Sequence, residues 1–221
     1  MEQKKAILFG ASGFIGSYLL DELLNSTDYS QVTAVVRKEL PIHHPKLKIL
    51  IGDFQSLPGL KGDIEADDVF IALGTTKKKT PNQQEYYQID HDYPVLAAKI
   101  ALEKGAKAVF LVTAVGANAN SSIFYIRTKG DTERDIIALN FQHTYIFRPS
   151  MLLGDRKENR PLERILLKIW PLMNFILVGN GLKKYRGIEG RDVAKAMVNA
   201  AKKQLEKIKV YHWQDMKDQI L

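Results

Sequence analysis

The chain has 221 residues, no cysteine and a formal net charge of +7, which excludes disulfides and thiolate metal sites and favours an anionic partner or cofactor. Its five histidines fall at no metal-ligand spacing, and its longest apolar run, residues 169–179, is shorter than the ~20 residues a membrane helix needs. Without repeats, linkers or an N-terminal apolar stretch long enough for a secretory leader, it reads as one domain over residues 1–221 in the cytoplasm.

Residues 6–9 form a short apolar strand pattern that turns through Gly10, Gly13 and Gly16 into a helical pattern over Phe14–Asn25. Glycine suits such a turn because the backbone bends tightly, a phosphate can approach it, and the helix start offers its N–H groups. Gly10, Ser12, Gly13, Phe14, Ile15 and Gly16 are therefore candidate dinucleotide contacts, although the spacing is G-x-x-G-x-x-G. The second strand, residues 32–36, ends in Arg37 and Lys38 where an NAD-specific unit would place a carboxylate on the ribose 2′-hydroxyl. An arginine fork binds a 2′-phosphate instead, so this end predicts NADP, with NADPH preferred over NADH.

A third strand over residues 47–51 leads to Asp53 and Phe54 beside the expected adenine pocket. The Asp53 carboxylate could accept from the adenine amino group or cap its own turn. Only a short crossover fits before the fourth strand, residues 68–72, which is followed by Leu73, Gly74 and Thr75 at the sheet edge where ligands bind. The basic run Lys77, Lys78 and Lys79 lacks interleaved aromatics and reads as solvated surface, so no nucleic acid is expected. A helical pattern over residues 82–104 precedes the fifth strand, residues 108–112.

The next helical pattern, residues 121–140, opens with Tyr125 and Lys129, four apart on one face. That spacing suits proton transfer, because a nearby ammonium stabilises a phenolate and lowers its pKa, here by about 3 units for useful chemistry near neutrality. Ser121 and Ser122 read as caps. A sixth strand, residues 144–147, leads into Pro149, Ser150 and Met151, after which the alternation fades. A helical pattern over 162–176 and a last one over 190–203 follow, with Asp192 read as an anchor of the latter. Substrate contacts are expected mainly within residues 150–189. The apolar segment 162–178 suits a pocket cap or a subunit contact, so a homo-oligomer is conceivable.

Strands alternating with helices predict an α/β fold, a doubly wound parallel sheet with a small C-terminal substrate-side region. The motifs Gly10-Ala-Ser-Gly13-Phe-Ile-Gly16, Ala72-Leu-Gly74-Thr-Thr76, Tyr125-x-x-x-Lys129, Arg148-Pro149-Ser150 and Leu152-Leu153-Gly154 together resemble the short-chain dehydrogenase/reductase superfamily. Within it they resemble the atypical branch of Tat-interacting-protein-like NAD(P)-binding oxidoreductases. The resemblance covers nearly the whole chain. It implies a Rossmann core, bound NADP(H), a tyrosine acid/base at Tyr125, an assisting Lys129 that also holds the nicotinamide ribose, and backbone from Pro149 to Met151 near the nicotinamide. The expected activity is hydride transfer between NADP(H) and a small carbonyl or alcohol.

One departure concerns the serine pair usual in that family at the end of the fifth strand. Here Thr113 retains a hydroxyl that could polarise the carbonyl, and Ala114 does not. Asp90 stands near where related enzymes have an asparagine. A second expectation stays open beside the enzyme, a protein that binds NADPH as a sensor or scaffold without turnover.

Overall fold

A computed structural model describes residues 3–154 and 182–221. The predicted helix over 162–176 and the apolar segment 162–178 lie outside the described residues. Seven parallel strands form the central sheet: β1 (Lys4–Phe9), β2 (Tyr29–Val36), β3 (Leu47–Ile51), β4 (Asp68–Ile71), β5 (Ala108–Val112), β6 (His143–Phe147) and, after a small outlying pair, β9 (Ile208–Tyr211). Their spatial order is β3-β2-β1-β4-β5-β6-β9, so the winding reverses between β1 and β4. That reversal opens a crevice at the carboxyl ends of these strands, where ligands bind in such sheets.

Helices cover both faces, as the continuously apolar strands require. Ala6 and Leu8 of β1 pack on one face with Leu19, Leu20 and Leu23 of α1 (Phe14–Asn25). Ile7 and Phe9 face the other way, in a cluster with Ala97, Ala98 and Ala101 of α3 (Tyr93–Glu103) and Ile136 of α4 (Phe124–Ala138). Each leucine so buried contributes roughly 1.5–3 kcal/mol. The short crossover expected between β3 and β4 is a 3₁₀ turn, Leu57–Asp63.

Beyond β6 the chain adds what the sequence pattern hid. β7 (Leu152–Leu153) pairs in parallel with β8 (Ile188–Glu189) as a separate two-stranded piece. α5 (Gly190–Lys202) then packs beside α1, β9 closes the sheet edge, and α6 (Trp213–Asp218) ends the fold. Asp192 acts as an anchor, accepting from Lys217 Nζ at 2.6 Å and tying α5 to α6.

Candidate active site

The glycine turn sits at the crevice. Gly10 has φ +94°, and a Cβ there would lie 2.6 Å from the Ala72 carbonyl oxygen. A Cβ on Gly16 would overlap the Gly10 carbonyl, so strand, turn and helix meet with no room for side chains. The N-cap of α1 is Gly13, with no side-chain cap and no acid in the first turn. A helix start with neither a side-chain cap nor an acid of its own suits an anion site. Ile15 is buried in the core, and the Phe14 ring packs where Gly154 and Gly190 leave space for it.

Around this turn lie the other predicted cofactor residues. Arg37 and Lys38 are exposed at the carboxyl end of β2, and Arg37 forms no ion pair among the described residues. Asp53 Oδ1 accepts from the backbone N–H groups of Gln55 and Ser56, at 3.0 and 2.9 Å, and from Ser56 Oγ. Those bonds, the Ser56 ones foremost, hold its carboxyl below the ordinary range, so turn capping is a role the geometry displays. Phe54 stacks on Tyr93, ring centroids 3.7 Å apart.

The chemistry concentrates on two helices facing across the carboxyl ends of β4 and β5. Pro94 brings this about locally: it has no N–H for the carbonyl four residues earlier, that of Asp90, and its ring crowds that carbonyl. The helix widens there into one π turn, Gln88–Asp92, between α2 (Gln83–Tyr87) and α3. The released Asp90 carbonyl accepts from Thr132 Oγ1 of α4 at 2.8 Å. π turns of this kind commonly re-aim a functional side chain. Here the Asp90 carboxylate, 1% exposed, accepts from Lys129 Nζ at 2.7 Å and from the Thr75 N–H at 3.3 Å.

Gly74 makes room for this pair, since a Cβ on it would lie 3.0 Å from Asp90 Oδ1 and 3.6 Å from Lys129 Nζ. Leu73, Gly74 and Thr75 therefore run directly past the lysine. Burial alone would lower the Lys129 ammonium, but Asp90 and Tyr125 outweigh it and the net shift is upward. For Tyr125, burial raises the phenol, Lys129 opposes that, and Asp90 adds to it, so its pKa lies above the ordinary value. The sequence pattern predicts the opposite direction, because the spacing of Tyr125 and Lys129 reveals neither the burial of the phenol, the largest cause, nor the added charge of Asp90.

Tyr125 opens onto a cleft of about 630 Å³. Its walls combine Tyr86, Phe124, Met151 and Leu152 with the polar Thr75 and Ser150. Ser150 Oγ donates to the Arg186 carbonyl, and the Val115 N–H donates to the Pro149 carbonyl at 2.9 Å, fixing the 149–151 backbone beside the end of β5. Gly130 lets α4 press against residues 118–119. The expectation that Ser121 and Ser122 cap the helix is corrected: the N-cap is Ile123, with no side-chain cap, and Ser121 Oγ, two residues earlier, accepts from the Ile123 N–H at 3.1 Å.

Thr113 is placed differently. Its hydroxyl donates to Glu133 Oε1, a buried carboxylate also held by Arg148, whose Nε lies 2.9 Å from the same oxygen. Its proton is committed to that network, and neither it nor Ala114 lines the cleft. The sequence reading did not place Tyr86 or Phe124 in the site. The Tyr86-Tyr87 pair looks like helix core, and only the fold shows which of the two faces Tyr125.

A family profile described as NAD(P)H-binding matches residues 10–204. The chain belongs to the NAD(P)H-binding family. It is 34% identical over 214 residues to "Protein FMP52, mitochondrial" of Candida glabrata, covering 94% of this chain and 89% of that protein. It is 33% identical over 174 residues to "Protein HTATIP2" of Rattus norvegicus, covering 77% of this chain and 72% of that one. Among solved structures, MoeE5 in complex with UDP-glucose and NAD has a TM-score of 0.69 at 20% identity, covering 93% of this chain and 74% of that one. The human epimerase family protein SDR39U1 with NADPH has 0.63 at 18%, covering 94% and 74%. This NAD(P)H-binding protein thus has HTATIP2 among its relatives and the Rossmann-like fold that its sequence motifs imply. The expectation of a cytoplasmic protein is corrected by the fungal relatives, whose names are mitochondrial. The absence of cysteine does not separate the cytoplasm from a mitochondrial compartment.

Proposed function

We propose that this protein is an NADP-dependent oxidoreductase that interconverts a small carbonyl compound and its alcohol, with Tyr125 as general acid/base. The observation that carries this reading is the placement of Tyr125 on the wall of a cleft, with the paired Lys129 and Asp90 acting on its phenol, next to a glycine turn that a single Cβ would block. The residues fit the cofactor: Gly10, Ser12, Gly13 and the start of α1 would hold its pyrophosphate, Arg37 and Lys38 its 2′-phosphate, and Lys129 its nicotinamide ribose. Phe54 and Asp53 would border the adenine, and Leu73 to Thr75 with Pro149 to Met151 the remainder. When bound, NADPH supplies the hydride that the carbonyl carbon gains.

Tyr125 gives the oxygen its proton and takes one back from solvent, while Lys129 stabilises the phenolate that forms between those steps. Engagement of Lys129 by a ribose hydroxyl would share its hydrogen bonds with Asp90. Arg37, exposed and without a carboxylate partner among the described residues, supports NADP over NAD.

A second reading, NADPH binding without turnover, has specific observations behind it. Thr113 gives its proton to Glu133, Ala114 has none to give, and Asp90 works against ionisation of Tyr125. A screen of NADPH consumption over aldehydes and ketones separates the two. The enzyme reading expects turnover that Tyr125→Phe lowers by ~10²–10⁴-fold. Tight NADPH binding with no turnover on any compound, and no effect of that substitution, selects the sensor.

A further inference from the structure

The cleft lacks a hydroxyl from the end of β5, yet a second phenol lies in its wall. We propose that Tyr86 donates a hydrogen bond to the substrate carbonyl oxygen beside Tyr125, in place of the hydroxyl that β5 does not present. This inference rests on the carbonyl chemistry proposed above and adds the group that holds the carbonyl for it.

Three observations support the assignment. First, Tyr86 and Tyr125 line the same cleft, from α2 and α4, and Tyr86 is only 6% exposed while Tyr125 is 42% exposed. The Tyr86 ring meets Phe124, the neighbour of Tyr125, edge-on at 5.7 Å, which fixes its direction. Second, among the described residues the Tyr86 hydroxyl reaches the Thr75 carbonyl only at 3.5 Å, the outer limit for a hydrogen bond, and shares the Asp90 carboxylate with Lys129 and the Thr75 N–H. A buried phenol so placed gains from an acceptor of its own.

Third, several neighbouring hydroxyls are already engaged. Thr75 and Thr80 bond to each other at 2.8 Å, Ser150 donates to the Arg186 carbonyl, and Thr113 donates to Glu133. The two tyrosines also divide the work electrostatically. Burial, then Asp90 and Tyr125, raise the Tyr86 phenol far above its ordinary value, with no cation opposing. Tyr125 has Lys129 to oppose the same effects. Tyr86 therefore keeps its proton and acts as a fixed donor toward developing negative charge, whereas Tyr125 is the one able to release its own. The apolar wall made by Phe124, Met151 and Leu152 suits an aldehyde or ketone with an aromatic or branched aliphatic body.

The test compares Tyr86→Phe, Tyr125→Phe and wild-type protein with NADPH and para-nitrobenzaldehyde, alongside NADPH affinity. Tyr86→Phe keeps the ring and its packing. The expected result is a kcat lower by ~10²-fold with the Kd of NADPH unchanged. A Tyr86 that only props Asp90 would pass its loss through Lys129 to the cofactor, so a rise in that Kd matching the loss of turnover overturns the proposal. Turnover that Tyr125→Phe removes and Tyr86→Phe leaves intact overturns the role of Tyr86 while the proposed reaction stands. No turnover by wild-type protein with any aldehyde overturns the reaction itself. Independently of turnover, para-nitrobenzyl alcohol should bind NADP⁺-saturated Tyr86→Phe about tenfold more weakly than wild type. Equal affinity contradicts the inference.

Discussion

Two buried carboxylates, Asp68 and Asp90, stand at opposite edges of the parallel sheet, each 1% exposed and each beside a lysine and a tyrosine. At the amino edge, Asp68 is saturated by protein. Its Oδ2 accepts from the Tyr29 hydroxyl at 2.7 Å and Lys4 Nζ at 3.1 Å, and its Oδ1 accepts from Gln204 Nε2 at 2.8 Å. None of these residues lines the cleft. At the carboxyl edge, Asp90 faces the side-chain-free Gly74 and holds Lys129 next to Tyr125, on the wall of a cavity. The same residue types thus make a closed fastening at one edge and a site at the other. What differs is whether the geometry leaves room for a reactant.

Substitution of the two carboxylates gives the sharpest contrast. Asp68→Ala leaves Lys4 and the Tyr29 hydroxyl without their partner, and should cost about 2–4 kcal/mol in urea unfolding, less than a wholly buried pair because Lys4 reaches solvent. NADPH affinity should not change. Burial raises the Asp68 carboxyl above its ordinary value, so ionisation is harder in the folded protein than in the unfolded chain. The stabilising contribution of Asp68 is then fullest below about pH 4 and declines as pH rises through its raised pKa, so the gap to Asp68→Ala should narrow over that range. A gap that widens with pH would contradict the account of this edge.

Next in size is the effect at the cofactor end. Arg37→Asp replaces a guanidinium donor by a repelling carboxylate and should weaken NADPH by about one to two decades while sparing NADH. Equal loss of both in a fluorescence titration would remove the NADP assignment. The smallest effect belongs to Asp90→Asn, which takes away a negative charge that raises Tyr125. The phenol pKa should fall, and the tyrosine limb of the kcat/KM profile should move to lower pH. An unmoved limb would show that Asp90 does not act through Tyr125, and the two edges would then be alike.

How legible each edge is in the sequence follows from the kind of signal it leaves. The glycine turn, the six apolar strands and the helix-opening Tyr125 and Lys129 are local patterns, and the fold places them as those patterns predict. β9 was missed because Lys209 interrupts its short apolar run, as suits an edge strand with one exposed side. The helix over 82–104 shows no break in its pattern, yet Pro94 opens it at Asp90. Tyr86, Asp90 and the Glu133 partner of Thr113 come together only through contacts between α2, α4 and the π turn, and no local spacing encodes those.

The central claim, that the carboxyl edge transfers hydride, is tested most directly by isotope tracing. NADPH deuterated at the transferable position of its nicotinamide is incubated with this protein and an aldehyde that it consumes, and the alcohol is weighed by mass spectrometry. The account predicts deuterium at the carbinol carbon, with ~10²–10⁴-fold less labelled alcohol made per unit time by Tyr125→Phe. Alcohol formed without deuterium, or labelled alcohol made as fast by the variant, would contradict it.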